Sequence, residues 1–169
     1  MLSIITLIAI VVMMLGELWL SRSNERWMFD HGATAPPDPV YATMRWAYPV
    51  TFVAMAVEGV LLDRPIGTAA IGGAVLLVVA KALKFWAIAS LGPRWTFRVL
   101  VLPSAPLVVG GPYRFLRHPN YVAVVGELLA MALLTGARIA GPLSLLGFGW
   151  LLVRRINAEE RALGLSTRA

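Results

Sequence analysis

Three observations predict that this chain folds as an all-α integral membrane protein with five transmembrane helices. Apolar residues make up 59% of its 169 residues, charged residues only 14%, and the mean hydropathy is +0.75, values that leave the range of soluble globular domains. Five apolar segments are long enough, or nearly long enough, to cross a bilayer. The arginines concentrate in alternate connections between those segments, as membrane orientation requires.

The first three spans form the N-terminal part, residues 1–90. The first, Leu2 to Leu20, lacks the positive start and the cleavage site of a signal peptide, so we expect it to be retained. A polar connector at 21–43 follows, and its three closely spaced prolines break any helix inside it. The second and third spans, 45–62 and 66–90, are joined by a tight turn that contains a proline.

The C-terminal part, residues 91–169, begins with a long region, 92–120, that does not span the membrane. It interleaves aromatic and basic residues, as an interfacial segment does, and its one apolar run is too short to cross. Two short spans, 121–135 and 139–153, then form a helical hairpin. A charged helix at 154–168 leaves the membrane. Given the length of the chain, we expect both parts to form a single domain.

The arginines predict the orientation of the five spans. Eleven lie in the 21–45 connector, the 92–120 region or the tail, whereas the opposite side has only Arg64 and Arg138. Because cytoplasmic loops carry the excess of basic residues, the N-terminus is predicted outside and the C-terminus in the cytoplasm. The net charge of +6 then follows from orientation, and no nucleic-acid partner is needed to explain it.

Five ionisable residues fall within or near the spans. Such residues are costly in a bilayer and usually pair inside the bundle. The favoured interpretation is that the four nearest the cytoplasmic ends neutralise one another: Glu17, Lys81, Lys84 and Glu127. The alternative is that Glu127 points into a substrate cavity. Glu58 is interpreted as a residue at the membrane boundary.

The most polar stretch of the chain is an island at 110–121, within which two arginines, two tyrosines and one of the two histidines lie close together. An interfacial loop of anchoring residues would explain it without a ligand. The alternative interpretation is that the island binds a ligand. The island lacks the glycine-lysine pattern of a phosphate-binding loop. The chain has two distant histidines and no cysteine, so its residues are not spaced as zinc ligands are, and no metal is expected.

The island reads G-P-Y-R-x-x-R-H-P-N-Y, and after the predicted hairpin comes R-x-x-x-E-E at 155–160. This combination resembles the isoprenylcysteine carboxyl methyltransferase family, with its bacterial relatives and the phospholipid methyltransferases, over roughly residues 90 to 163. The resemblance implies that the two motifs clasp S-adenosylmethionine (SAM) at the cytoplasmic face. It also implies a tunnel through which a lipophilic substrate enters from the bilayer.

The resemblance assigns roles to individual residues. Arg155 would face and orient the substrate, and Glu159 would hold the polar end of the cofactor. The remaining cofactor-binding residues would be the backbone of 105–108 and the side chains of the island: Ala105, Pro106, Leu107, Val108, Tyr113, His118, Pro119, Asn120 and Tyr121.

Plainer interpretations of the same residues stay open. His118 and Pro119 could simply begin the fourth helix, with proline in its first turn. Arg155 and Glu159 stand four residues apart, so they could form a surface ion pair on one helix. The two tyrosines would also suit an aromatic belt at the membrane interface.

The function that this resemblance implies is that of an integral membrane SAM-dependent methyltransferase. The chain lacks the longer C-terminal extension of the prenylcysteine enzymes, which favours a small lipid-like acceptor, methylated on a carboxylate or hydroxyl oxygen, in a bacterial inner membrane. One alternative is an NADPH-dependent reductase of the sterol type, since such enzymes also carry R-H-P-N-Y. The other is a non-catalytic membrane binding protein.

Overall fold

The computed structural model of the chain describes residues 2–62, 67–103 and 105–165. Its helices are α1 (Leu2–Asp30), α2 (Tyr41–Leu62), α3 (Thr68–Leu91), α4 (Pro119–Thr135) and α5 (Ala140–Ala162). The described residues contain no β-strand, so the all-helical prediction is confirmed. The predicted turn at 63–65 lies outside the described residues. The predicted tail helix, 154–168, was too long, because α5 ends at Ala162 and residues 163–165 are not helical; positions 166–168 lie outside the described residues.

Helix α1 is longer than predicted. It continues past Leu20, where the first span was expected to end, as far as Asp30, so the prediction of a non-helical connector was wrong for residues 21–30. Packing explains the difference, because the polar side chain of Asn24 is buried against the end of α3. Its Nδ2 donates to the carbonyl oxygens of Gly92 at 3.3 Å and Trp95 at 2.8 Å, beside a helix end that leaves carbonyls unpaired.

The most extensive helix pair is α3 with α4. Small residues allow the close approach: a Cβ on Gly73 would lie 2.9 Å from the Cβ of Leu133, and one on Gly126 would lie 3.0 Å from the Cβ of Ala80. In a bilayer, lipid provides no hydrophobic force between helices, and tight van der Waals packing stabilises such pairs instead.

The apolar core draws on both parts of the chain. It includes Phe52 and Met55 of α2, Leu128 and Met131 of α4, and Phe148 of α5, all of them buried. The α4–α5 hairpin therefore packs against the N-terminal helices and does not form a separate unit with its own core.

The connections gather at two ends of the bundle. At one end, Thr34 and Val101 exchange backbone hydrogen bonds of 2.9 Å, which joins the α1–α2 connection to the α3–α4 connection. At the other end, Glu58 accepts hydrogen bonds from the backbone N–H groups of Arg138 at 2.7 Å and Ala140 at 2.6 Å. Glu58 therefore caps the positive N-terminus of α5, a more specific role than the predicted boundary position.

Three helices of the described chain, α1 to α3, are long and apolar enough to cross a membrane. Helix α4 is apolar but has only 17 residues, about 26 Å against a hydrocarbon core of about 30 Å. Helix α5 is continuous through Ala162, so the predicted fifth span and the tail as far as that residue form one helix. These helices identify an integral membrane protein, and five crossings stay a prediction.

Candidate functional site

The polar island folds back onto the end of α3. Its first part is a 3-10 turn, Gly111–Arg114, in which Pro112 is buried. Gly111 has a φ of +58°, a conformation that residues with side chains rarely adopt. A Cβ at this position would also collide with the hydroxyl of Ser90 on α3. Glycine is therefore required here both for the turn and for the close approach.

Hydrogen bonds join the first turn of α4 to the C-terminal part of α5. Helix α4 begins at Pro119, two residues before the predicted span, which agrees with the plainer interpretation that His118 and Pro119 begin this helix. The hydroxyl of Tyr121 donates to Glu159 Oε2 and accepts a hydrogen bond from Arg155 Nε at 3.3 Å. The fold therefore brings together the two sequence motifs, one of which precedes the α4–α5 turn in the sequence while the other follows it.

Two more island residues lie around this contact. The ring of His118 stacks on Tyr121 with centroids 5.5 Å apart, and its Nε2 lies 3.2 Å from Glu160 Oε1. Asn120 turns towards the α3–α4 connection, where its Oδ1 accepts a hydrogen bond from Trp95 Nε1 at 3.4 Å. The R-H-P-N-Y motif thus contacts both the α5 carboxylates and the start of the α3–α4 connection.

Tyr113 is half-buried in the island turn. Burial raises the pKa of its phenol well above the ordinary value of 10.0, and the nearby negative charge of Glu159 raises it further. The phenol of Tyr113 is therefore neutral at physiological pH. It offers a hydrogen-bond donor and an aromatic face beside a carboxylate.

Arg155 is only 4% exposed, and each of its three nitrogens contacts a different segment. Nη1 pairs with Asp38 of the α1–α2 connection, Nη2 donates to the carbonyl oxygen of Phe97, and Nε donates to Tyr121. Burial lowers the pKa of Arg155, and the charge of Glu159 acts against that shift. A surface ion pair between Arg155 and Glu159 is therefore wrong, because Arg155 is buried and pairs with Asp38.

Sequence reasoning missed Asp38. The residue stands among the three prolines of the connector, which were interpreted only as helix breakers. The available signal was indirect: the arginine count predicted that the connector and the tail lie on the same side of the membrane. That count identifies a shared side but not a partner for Arg155.

The segment 105–108, predicted to line the cofactor pocket with its backbone, lies at the edge of the α3–α4 connection. Arg94 Nη1 donates to the carbonyl oxygen of Pro106 at 2.7 Å, and Leu107 is 52% exposed. The hydrogen bond therefore ties this segment to Arg94 and not to Tyr121 or Glu159. Its part in a pocket stays a prediction.

The charged residues inside the apolar helices form one ion-pair cluster. Lys81 Nζ lies 2.9 Å from Glu17 and 3.2 Å from Glu127, and Lys84 Nζ lies 2.9 Å and 3.0 Å from the same two residues. Tyr48 donates its hydroxyl to Glu127. All four charged side chains are buried, so the predicted neutralisation is confirmed. The alternative, that Glu127 points into a substrate cavity, stays a prediction.

The site residues offer a carboxylate, two phenols, an imidazole and a buried guanidinium. Among the described residues, no group of three or more acidic or histidine side chains is arranged to hold a metal ion. The same set suits an organic ligand that carries positive charge and hydroxyl groups, because carboxylates and aromatic faces both attract cations.

Comparison with known proteins gives a family and two relatives. A sequence model of the isoprenylcysteine carboxyl methyltransferase (ICMT) family matches residues 73–164, more than half of the chain. The uncharacterized protein YpbQ of Bacillus subtilis (strain 168) is 32% identical over 93% of this chain and 94% of its own length. An uncharacterized protein of Haemophilus influenzae is 24% identical over 94% of this chain and 93% of its own length. No solved structure matches significantly.

Proposed function

We propose that this chain, which belongs to the isoprenylcysteine carboxyl methyltransferase family, is an integral membrane methyltransferase that uses SAM. The acceptor is a small lipophilic molecule that enters from the bilayer and receives the methyl group on a carboxylate or hydroxyl oxygen. The family supports the reaction class, and the resemblance of the two motifs supports the cofactor and the lipophilic acceptor.

The observation that carries the proposal is the hydrogen bond between Tyr121 and Glu159. It connects the R-H-P-N-Y motif to the R-x-x-x-E-E motif, the two elements that the family resemblance assigns to the cofactor. Both motifs also lie within the matched residues 73–164. A surface loop of anchoring residues would not require a buried arginine and a paired carboxylate at this point.

The residues around Glu159 fit SAM, which supplies a methyl group on a sulfonium cation together with an ammonium group and ribose hydroxyls. The carboxylate of Glu159 suits the ammonium or the hydroxyls. The faces of Tyr113 and Tyr121 suit the cation. His118, Pro119, Asn120 and the backbone of 105–108 complete the proposed pocket.

Arg155 orients the acceptor in this proposal. A guanidinium has five N–H donors, and the contacts with Asp38, Phe97 and Tyr121 occupy one on each nitrogen. The remaining donors on the two terminal nitrogens suit an acceptor oxygen. Methyl transfer is an in-line displacement, so the chain contributes mainly position and electrostatic environment.

The acceptor determines whether a base is needed. A carboxylate acceptor is already deprotonated and needs none. A hydroxyl acceptor must lose its proton, and the candidate bases are His118 in the island and Glu127 in the buried cluster.

The proposed setting is a bacterial inner membrane, with the N-terminus outside and the cofactor pocket in the cytoplasm. The arginine distribution supports this orientation. In one single domain, residues 1–90 would provide three spans and residues 91–169 the cofactor-binding core. The partners are membrane lipids and the lipid-like acceptor.

Cofactor binding is the first test. Protein purified in detergent should bind SAM or S-adenosylhomocysteine (SAH) saturably in titration calorimetry and should not bind NADPH. Glu159→Ala should weaken SAH binding, whereas Arg155→Ala should mainly lower turnover. Saturable NADPH binding without SAM or SAH binding would replace the proposal with a reductase, and binding of neither would favour a non-catalytic protein.

Identifying the acceptor requires a second experiment. Membrane lipid extracts are incubated with the protein and isotope-labelled SAM, and mass spectrometry is used to find products that gain the label. A labelled ester indicates a carboxylate acceptor and a labelled ether a hydroxyl acceptor. Extracts incubated with the Glu159→Ala variant serve as the control.

A further inference from the structure

Asp38 lies outside residues 73–164, the part of the chain that the family model matches. It nevertheless forms the ion pair with Arg155, which lies inside the matched part. Its side chain is 11% exposed and that of Arg155 is 5% exposed, so the pair is shielded from water.

The two carboxylate oxygens of Asp38 have separate partners. Oδ1 accepts a hydrogen bond from the backbone N–H of Tyr41 at 3.2 Å, which caps the start of α2. Oδ2 contacts Nη1 of Arg155. The backbone nearby is also fixed, because Thr34 is bridged to Val101 and prolines flank Asp38 on both sides. Asp38 therefore holds Arg155 from a rigid position.

A buried guanidinium needs an anionic partner, because its burial without one is strongly unfavourable. Among the described residues, the carboxylate in ion-pair contact with Arg155 belongs to Asp38. Glu159 is the next candidate, since it lies one helical turn further along α5 on the same face. If Asp38 lost its charge, Arg155 would be drawn to Glu159, which now accepts the hydroxyl of Tyr121.

We propose that Asp38 is a positioning residue that, by pairing with Arg155, keeps the carboxylate of Glu159 bonded to Tyr121 and available to the cofactor. The inference rests on the proposed function, because it assumes that Glu159 binds SAM. According to this proposal, the α1–α2 connection contributes to cofactor affinity although it lies outside the family-matched residues.

The substitution Asp38→Asn tests the ion pair separately from the helix cap. Asparagine caps helices about as well as aspartate, so α2 keeps its start while Arg155 loses its anionic partner. We expect the dissociation constant for SAH, measured by calorimetry on the full chain, to rise about tenfold. Asp30→Asn is the matched control, since it removes an exposed carboxylate at the end of α1, and it should leave SAH affinity unchanged.

A second substitution distinguishes positioning from a general loss of structure. Arg155→Met removes the competing cation, so we expect adding Asp38→Asn to it to cause no further loss of SAH affinity. Equal dissociation constants for Arg155→Met and the double variant, together with the weaker binding of Asp38→Asn alone, support the inference. A tenfold further loss in the double variant would show that Asp38 does not act through Arg155.

The wild-type titration separates failure of this inference from failure of the proposed function. If the wild-type chain does not bind SAH, the methyltransferase proposal fails. If the wild type binds SAH and Asp38→Asn, correctly folded, binds it equally well, only the positioning role of Asp38 is overturned.

Discussion

The buried ion-pair cluster of Glu17, Lys81, Lys84 and Glu127 makes a strong prediction about stability. Substitution of Glu127 by glutamine keeps the shape of the side chain and its acceptor for the hydroxyl of Tyr48. It removes one of two negative charges, so two buried lysines would share Glu17. The cluster, which is neutral in the native chain, would then carry a net positive charge inside the apolar bundle.

The distances set the expected magnitude. Glu127 loses ion-pair contacts of 3.2 Å with Lys81 and 3.0 Å with Lys84, each an attraction of about 5 kcal/mol at an effective dielectric constant of about 20. The lost contacts also leave a lysine charge uncompensated, and breaking a buried pair in this way costs about 3–5 kcal/mol net. For a chain of this size that corresponds to a fall in the unfolding midpoint of about 10 °C.

Thermal unfolding in detergent, followed by circular dichroism, measures the effect. Glu25→Gln is the matched control, because Glu25 is a half-exposed carboxylate on α1 and should change stability by less than about 0.5 kcal/mol. Adding Lys84→Met to Glu127→Gln restores neutrality and should recover at least half of the loss. The reasoning is refuted if Glu127→Gln unfolds within about 1 °C of the wild type, or if the double variant is no more stable than the single one.

Three other predictions follow from the two ends of the bundle. Glu58→Ala removes the cap of α5 and should lower stability by about 1–2 kcal/mol in the same unfolding assay; an unchanged midpoint would contradict the capping role. Gly111→Ala forces a collision with α3 and should weaken SAH binding at least tenfold, whereas wild-type affinity would mean that the island can move without loss. Since the chain has no cysteine, single cysteines report topology: in intact cells an impermeant maleimide should label Arg138→Cys but not Ser23→Cys, and the opposite result would invert the orientation.

Much of the fold follows from hydropathy, since the bilayer restricts spanning segments to long apolar helices. The end of α1 could not be predicted in this way. Most of residues 21–30 are polar. The helix nevertheless continues through them, because Ser21 accepts a hydrogen bond from the backbone N–H of Phe97 at 2.8 Å and Asn24 binds the end of α3. Those partners lie more than sixty residues away in the chain, so local sequence does not reveal them.

The sequence could predict those residues of the candidate site whose functional groups are concentrated in short motifs. Tyr121 and Glu159 belong to such motifs and meet in the fold. Asp38 and Glu58 each stand alone in the sequence, and their importance arises from partners that only the fold supplies: a buried guanidinium for Asp38 and the N-terminus of α5 for Glu58. An isolated carboxylate gives no sign of its partner, whereas a cluster of functional groups does.

The buried charges indicate that the family-matched residues 73–164 depend on the residues that precede them. In its described residues, the family-matched part, 73–164, contains three buried cations, Lys81, Lys84 and Arg155. Of the carboxylates that contact these cations, only Glu127 belongs to the same described residues. The compensating charges come from Glu17 on α1 and Asp38 before α2. Since unpaired buried charges are strongly destabilising, the N-terminal helices do more than anchor the chain. They supply the negative charge that allows the family-matched part to bury its cations and to hold the Tyr121–Glu159 contact in place.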